Sequence, residues 1–390
     1  MKTCKLILVA LLIGACPAAR AQYSAGTNDL ANTNISAALA DFTTAVANSP
    51  ADPNANVYLA LTRLLALPNQ PAGSNFLSRI GIPAAGRNDY HWTAQLPETT
   101  NSDQKRELVI PNVDADEFTA ELRNDIVPAL IAAETNLAQI TDPNFGLFLP
   151  GSVTHFSDVT IDYGDVQMMR AILDAAAFYG YTLNTWNLDA QLQAVSNLVE
   201  TDKSLEAILN ANPNLLAITN AADQVLAGGA FTNAINRYFA ASQFIRSRHA
   251  GVRLFNMVTN DLRDEQNFRL FLSDLESSVS APFGGPGADA GVISNAAFYD
   301  TISGFTNHTI SMANFFNGTF NVRSLLPVIT NSAFIWDSFP DTTLDGVITG
   351  LTQTNLGRAF LKHPLSAQLQ LPGVAYTVLN WRVERSCGFC

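Results

Sequence analysis

From Ile35 to about residue 280, apolar residues recur at steps of three and four, a period that only packed amphipathic helices satisfy. Ile35, Leu39, Phe42 and Val46 open the pattern on one face. Pro50 and Pro53 interrupt it; Asp52 is placed as an N-cap and Pro53 as the first helical residue, where a missing N–H costs nothing. Val57, Leu61, Leu64 and Leu65 carry the next helix to Pro68. Asp114 with Glu117 reads as a capping box, ahead of a stripe of Phe118, Leu122, Ile126, Leu130 and Leu137 that should kink at Pro128. Val166, Met169, Ile172, Leu173 and Ala176 mark a further helix capped by Asp165, with shorter ones near 189–200 and 203–211. A long helix follows from Asn220 to Arg248, with Val225, Phe231, Ile235, Phe239 and Ile245 inside. The last runs over 253–278, and its other face, away from the apolar stripe, carries Asp261, Glu265 and Arg269, the last two as an i,i+4 pair.

Pro282-Phe283-Gly284-Gly285-Pro286-Gly287 ends this pattern. Beyond it, Thr309–Phe316, Phe320–Leu326 and Val374–Val383 read as strands, with Asn317-Gly318 as a hairpin turn and one short helix over 353–362. The expected fold is therefore mainly α, a helical lobe over 22–282 followed by a smaller β-rich C-terminal lobe over 283–390.

The pair running from Ala38-Leu39-Ala40-Asp41-Phe42 through Pro50 and Asp52 to Ala60 and Leu64 is similar to a tetratricopeptide repeat junction, over about 30–67. That resemblance implies small residues where two helices touch and a proline at their turn. No further clean copy follows at a 34-residue step. A wider resemblance rests on Tyr163-Gly164-Asp165-Val166, Asn321-Val322-Arg323-Ser324-Leu325-Leu326-Pro327, and Leu344 to Thr352. Together these resemble exported bacterial proteins of verrucomicrobial type that begin with a tetratricopeptide-like pair. The resemblance brings no activity and no site residues with it.

The N-terminus reads as an export signal over 1–21. Lys2 and Lys5 precede the apolar run Leu6–Ala15, which at 1.5 Å per residue reaches about half a bilayer core and so does not span it. Ala19-Arg20-Ala21 gives a small-x-small cleavage pattern, placing the mature N-terminus at Gln22. The alternative uses Ile13-Gly14-Ala15-Cys16, which resembles a lipoprotein box with a lipid anchor on Cys16. Cys387 and Cys390 close the chain as a CxxC, read as a terminal disulfide of an oxidising compartment. No later segment is apolar enough to span a membrane.

Charge and motifs exclude several chemistries. Lys and Arg number 22 against 34 Asp and Glu, a net of −12, which weighs against a nucleic-acid backbone binder. His91, His155, His249, His308 and His363 are far apart, and no HExxH, GxSxG or phosphate-loop motif is present. Gly285-x-Gly287-x-x-Ala290 contains Pro286 and follows a helix, so it reads as a loop and not a dinucleotide fingerprint. Asp158, Asp162 and Asp165 are weighed as Ca²⁺ ligands against capping, and Asp341 with Asp345-Gly346 as a turn; capping and turn are preferred. Arg246, Arg248, His249 and Arg253 form a candidate anion-binding patch, or a helix C-terminus closed by Gly251. Tyr90-His91-Trp92 either meets a ligand or tucks against the helices. No catalytic, cofactor or metal residue can be named.

The expected function is an exported, non-enzymatic scaffold that binds a protein partner in the cell envelope, periplasmic or secreted, because stacked helix pairs present concave surfaces. Two alternatives stand beside it. One is an envelope glycan hydrolase using Asp or Glu residues not identifiable from sequence. The other is a binder of a small apolar ligand between the lobes.

Overall fold

The computed structural model describes residues 22–100, 106–108, 113–191, 205–248, 251–256, 262–280, 310–331 and 333–354, with 194, 195, 198 and 356. The export signal with Cys16 and Ala21, His249, the glycine-rich segment 283–291, Val374–Val383 and the Cys387–Cys390 pair lie outside the described residues.

Helix α1 covers 22–31, α2 Ile35–Asn48 and α3 Pro53–Ala66. Asp52 caps α3 as its position predicts, its side chain accepting the amides of Asn54 at 2.9 Å and Ala55 at 3.2 Å. Ala38, Phe42 and Ala45 of α2 are buried, and Phe42 stacks on Tyr58 of α3 with ring centres 5.0 Å apart. Tyr23 of α1 closes this cluster edge-on to both rings. After α4 (Pro71–Arg79) and the β1–β2 ladder (Glu98–Thr100, Arg106–Leu108), α5 covers Asp116–Glu121 and α6 Val127–Leu137.

The start of α5 differs from expectation. No side chain caps it; Asp114 instead bridges to Gln191, and Glu117 pairs with Arg79. The expected kink at Pro128 is a π turn over Leu122–Ile126. A proline gives no N–H to the turn before it, and the wider turn absorbs one extra residue. That residue rotates α5 relative to α6, so Phe118 is 41 % exposed while Leu122 and Leu137 are buried.

An antiparallel ladder not expected from the sequence follows: β3 (Gly146–Leu149) pairs with β4 (Val159–Asp162), joined through α7 (Gly151–Thr154). Leu147, Leu149 and Ile161 point into the core. β4 leads straight into α8 (Tyr163–Thr185). After α9 (Leu205–Ala211), α10 (Ala221–Ser247) runs antiparallel to α8: Gly164 lies by Phe244 and Ile245 at one end, and Phe178 meets Phe231 towards the other. Residues 253–256, expected to begin the last helix, run with 251 and 252 beside β4 instead, Thr160 being bridged to Arg253. Helix α11 covers Leu262–Ser280 and packs on α10.

Two strands expected in the C-terminal part are short helices, α12 (Met312–Phe315) within 309–316 and α13 (Val322–Leu325) within 320–326. Side chains explain the change. Ser311 and Asn321 accept the amides of Asn314 and Arg323, the local bonding that starts a helix and competes with a strand ladder. Among the described residues after 310 the paired strands are β5 (Ile329–Thr330) and β6 (Ala333–Phe334), a two-stranded ladder. Phe316 packs edge-on to Phe178 and tilted against Phe231, so this part rests on the α8–α10 pair. The described chain is mainly helical with small two-stranded sheets.

Candidate ligand cavity and the charged groups around it

Helix α8 is apolar on more than one face, and the face turned from α6 borders open space. Met168, Ala171, Ala175 and Phe178 line it at helical spacing, with Ile172 and Tyr179 at the rim, 51 % and 66 % exposed. Phe231, Ala234, Ile235 and Tyr238 of α10 form the second wall. Phe268 and Leu272 of α11, with Phe255, form the third. The alanines leave room where the three helices diverge, giving a cavity of about 300 Å³ that opens to solvent.

The hydroxyl of Tyr238 is turned to Glu265 of α11, to which it donates at 3.4 Å. Burial first, then the Glu265 carboxylate, pushes this phenol upward, so it stays protonated. Glu265 also accepts Ser242 Oγ at 2.5 Å and Arg246 Nη1 at 2.6 Å, and Arg269 Nε lies 3.9 Å away. The sequence placed Glu265 and Arg269 on the face away from the apolar stripe; the structure buries Glu265 to 2 % exposure in the α10–α11 seam. Its several hydrogen-bonding partners make that burial tolerable.

The sequence-defined basic patch divides. Arg246 belongs to the Glu265 network, whereas Arg248 and Arg253 turn inward on the start of α8. Arg248 pairs with Asp162 and, at 3.2 Å, with Asp165; Arg253 Nε is 3.3 Å from Asp162. Asp165 is fully buried and also accepts the Phe255 amide at 3.0 Å. Burial raises its carboxyl despite the opposing Asp162 amide and Arg248. The cap of α8 is Asp162, not Asp165: Asp162 accepts the Asp165 amide at 3.1 Å and Asp165 accepts that of Asp162 at 3.0 Å, a reciprocal box. Asp158 is bound elsewhere, to the Gly151 amide at 2.7 Å, so the three acids do not converge. Among the described residues no group of His, Cys, Asp and Glu is arranged to hold a metal ion.

Asp341 makes the expected turn, accepting the amides of Thr343 and Asp345 at 2.8 and 2.6 Å. Burial opposes its charge, yet these bonds hold the carboxyl below its ordinary value. Tyr90 lies tilted against His155 with ring centres 4.1 Å apart, and Trp92 donates to Ala94 O at 2.8 Å. These aromatics are not part of the cavity lining.

On the other side of the α8–α10 seam lies a second charged group. Arg170 pairs with Glu134 of α6 at 2.7 Å, and Arg237 Nε is 4.0 Å from the same carboxylate. Asp174 beside them is 4 % exposed, and its Oδ2 has no hydrogen-bond partner. Burial, then Glu134, pushes Asp174 up to about 6 against the pull of Arg237 and Arg170. No helix among the described residues is long and apolar enough to cross a membrane. No protein family matches the sequence, and no curated protein or solved structure is similar to it.

Proposed function

We propose that this protein binds a small uncharged apolar molecule in the cavity between α8, α10 and α11. One observation carries the reading: a cavity of about 300 Å³ walled by aliphatic and aromatic side chains, with its buried phenol already committed to Glu265. Pockets of this kind gain affinity by removing apolar surface from water, and this volume lies at the lower end of the range for ligand sites. At roughly 30 Å³ per water-sized group it holds about ten non-hydrogen atoms. A bicyclic aromatic or a decyl chain is of a size to fill it. The site lies within the helical part and not between two lobes.

A protein partner, expected from the α2–α3 pair, draws less support. The face of α3 away from α2 is covered by α6, with Asn136 Nδ2 donating to the fully buried Asn56 at 2.8 Å. Export with cleavage before Gln22, or lipidation at Cys16, belongs to the same proposal, and the intact mass of protein from its native host tests it.

Calorimetric titration with naphthalene and with 1-decanol tests the binding. Saturable binding that disappears in Ala175→Phe and Ala171→Phe, each of which fills the cavity, is the expected result. No saturable binding of either compound, or equal binding by wild type and both variants, overturns the proposal.

A further inference from the structure

We propose that Gln243, Arg246, Ser247 and Arg269 form a binding site for a small oxyanion, a carboxylate or phosphate group, separate from the apolar cavity. The four side chains line an open polar pocket of about 300 Å³ between α10 and α11. By helical spacing it lies on the opposite side of the Glu265 contact from Phe268 and Leu272, so the two sites share a seam but not a wall.

Charge gives the site its sign. Two guanidiniums share one buried carboxylate: Arg246 Nη1 donates to Glu265 Oε2 at 2.6 Å, and Arg269 Nε is 3.9 Å from Oε1. That leaves the pocket net positive in a chain whose overall charge is −12. Glu265 is turned into the seam, and Gln243 and Ser247 are neutral. The pocket therefore attracts anions where the rest of the molecule repels them.

Geometry then selects an oxyanion. Arg269 is fixed in advance: Nη1 donates to Ser242 Oγ at 3.0 Å and Phe239 O at 3.4 Å, and its guanidinium lies 4.9 Å from the centre of the Phe239 ring. Arg246 is fixed by Glu265. Both side chains are still about a third exposed, at 36 % and 32 %, and their ties to Glu265, Ser242 and Phe239 run through Nη1 and Nε. Two planar donor groups held in place beside a free amide match the divided charge of a carboxylate or phosphate, and little rotamer freedom is lost on binding.

Calorimetric titration of the full protein with inorganic phosphate and, separately, with acetate tests this site. Saturable binding of at least one anion in roughly the millimolar range is expected. Tighter phosphate binding identifies a phosphoryl ligand, and acetate binding as tight or tighter identifies a carboxylate. Gln243→Glu should weaken binding at least about tenfold without lowering Tm, because Gln243 has no part in the Glu265 ties and the added carboxylate faces two guanidiniums. Arg269→Gln should weaken it similarly, while Ala175→Phe, which fills the apolar cavity, leaves it unchanged. No saturable binding of either anion, or undiminished binding in both Gln243→Glu and Arg269→Gln, overturns the inference.

Discussion

Ser242 and Glu265 meet across the α10–α11 seam, the hydroxyl donating to Oε1 at 2.5 Å with neither residue more than 2 % exposed. Around that bond the two helices exchange their polar ties: Arg246 and Tyr238 reach Glu265 from α10, and Arg269 reaches back to Ser242 from α11. Since α11 supplies one wall of the apolar cavity, the contact also sets the width of that cavity.

Glu265→Ala should therefore cost more than an ordinary surface ion pair. It removes the acceptor of the Ser242 and Tyr238 hydroxyls and leaves two guanidiniums without this counter-charge. Breaking such a buried network costs about 3–5 kcal/mol. The partly exposed arginines can regain water, so the lower figure is expected. Urea denaturation gives the value, and a loss below about 1 kcal/mol would show that the seam holds without this carboxylate.

Asp174 sets a pH dependence of known sign. Its folded-state value, about 6, lies above the ordinary 3.8, so the folded protein holds this proton more tightly than the unfolded chain does. The stabilisation is present in full below pH 3.8 and is lost as pH rises through 6. The shift corresponds to at most about 3 kcal/mol. Asp174→Asn keeps the shape without the charge, so it should raise Tm at pH 7.5 and flatten the fall in Tm between pH 4 and 7. An unchanged profile in the variant would assign the pH dependence to another group.

Two glycines are fixed by close approach. A Cβ on Gly164 would lie 2.6 Å from Phe244 Cδ1, and one on Gly228 would lie 2.9 Å from the Cβ of Phe316. Gly164→Ala pushes α8 from the end of α10, and Gly228→Ala lifts Phe316 from its place against Phe178 and Phe231. Each should destabilise by about 1–3 kcal/mol despite alanine's higher helix propensity. Thermal melts of the single variants decide it, and a gain in Tm would mean that the neighbours move aside freely.

The longer helices α2, α3, α6, α8 and α10 were legible because their signals are local, the Asp52–Pro53 start and the apolar period, whereas α4 and α7, in stretches without that period, were not read. Faces were harder to read than elements. Ile172 and Val225 fit the inward stripe yet are exposed, because α8 and α10 are apolar on more than one side and the period alone does not choose. That excess apolar character is the one sequence signal of the cavity. The charged pairs were invisible for a different reason. Arg248 finds Asp165 across 83 residues and Arg246 finds Glu265 across 19, distances at which composition says only that both charges exist. The short helices at 312–315 and 322–325 were misread because short apolar runs on either side of Asn317-Gly318 suggest a hairpin, whereas the Ser311 and Asn321 bonds decide locally.

The strongest test of the fold falls where β4 becomes α8. Arg248 reaches the carboxylates of Asp162 and Asp165 and the carbonyl of Phe255, so a single side chain joins the end of α10, the start of α8 and the strand-like segment 251–256. Arg248→Met keeps most of the packing volume but leaves the fully buried Asp165 with no cation within 4 Å, since Arg253 lies near Asp162 alone. At pH 7.5 the loss should be about 3–5 kcal/mol, the range for a buried pair deprived of one partner. In the variant the Asp165 carboxyl rises further above its ordinary value, because one of the groups that lowered it is gone. A raised folded-state value stabilises below the unfolded value and is lost as pH climbs through the folded one, so the variant should regain stability on acidification. Melting curves of wild type and Arg248→Met between pH 7.5 and 4.5 should therefore converge. A gap that stays constant over that interval would mean that Arg248 holds the junction by packing and its bond to Phe255, and not by neutralising the two aspartates.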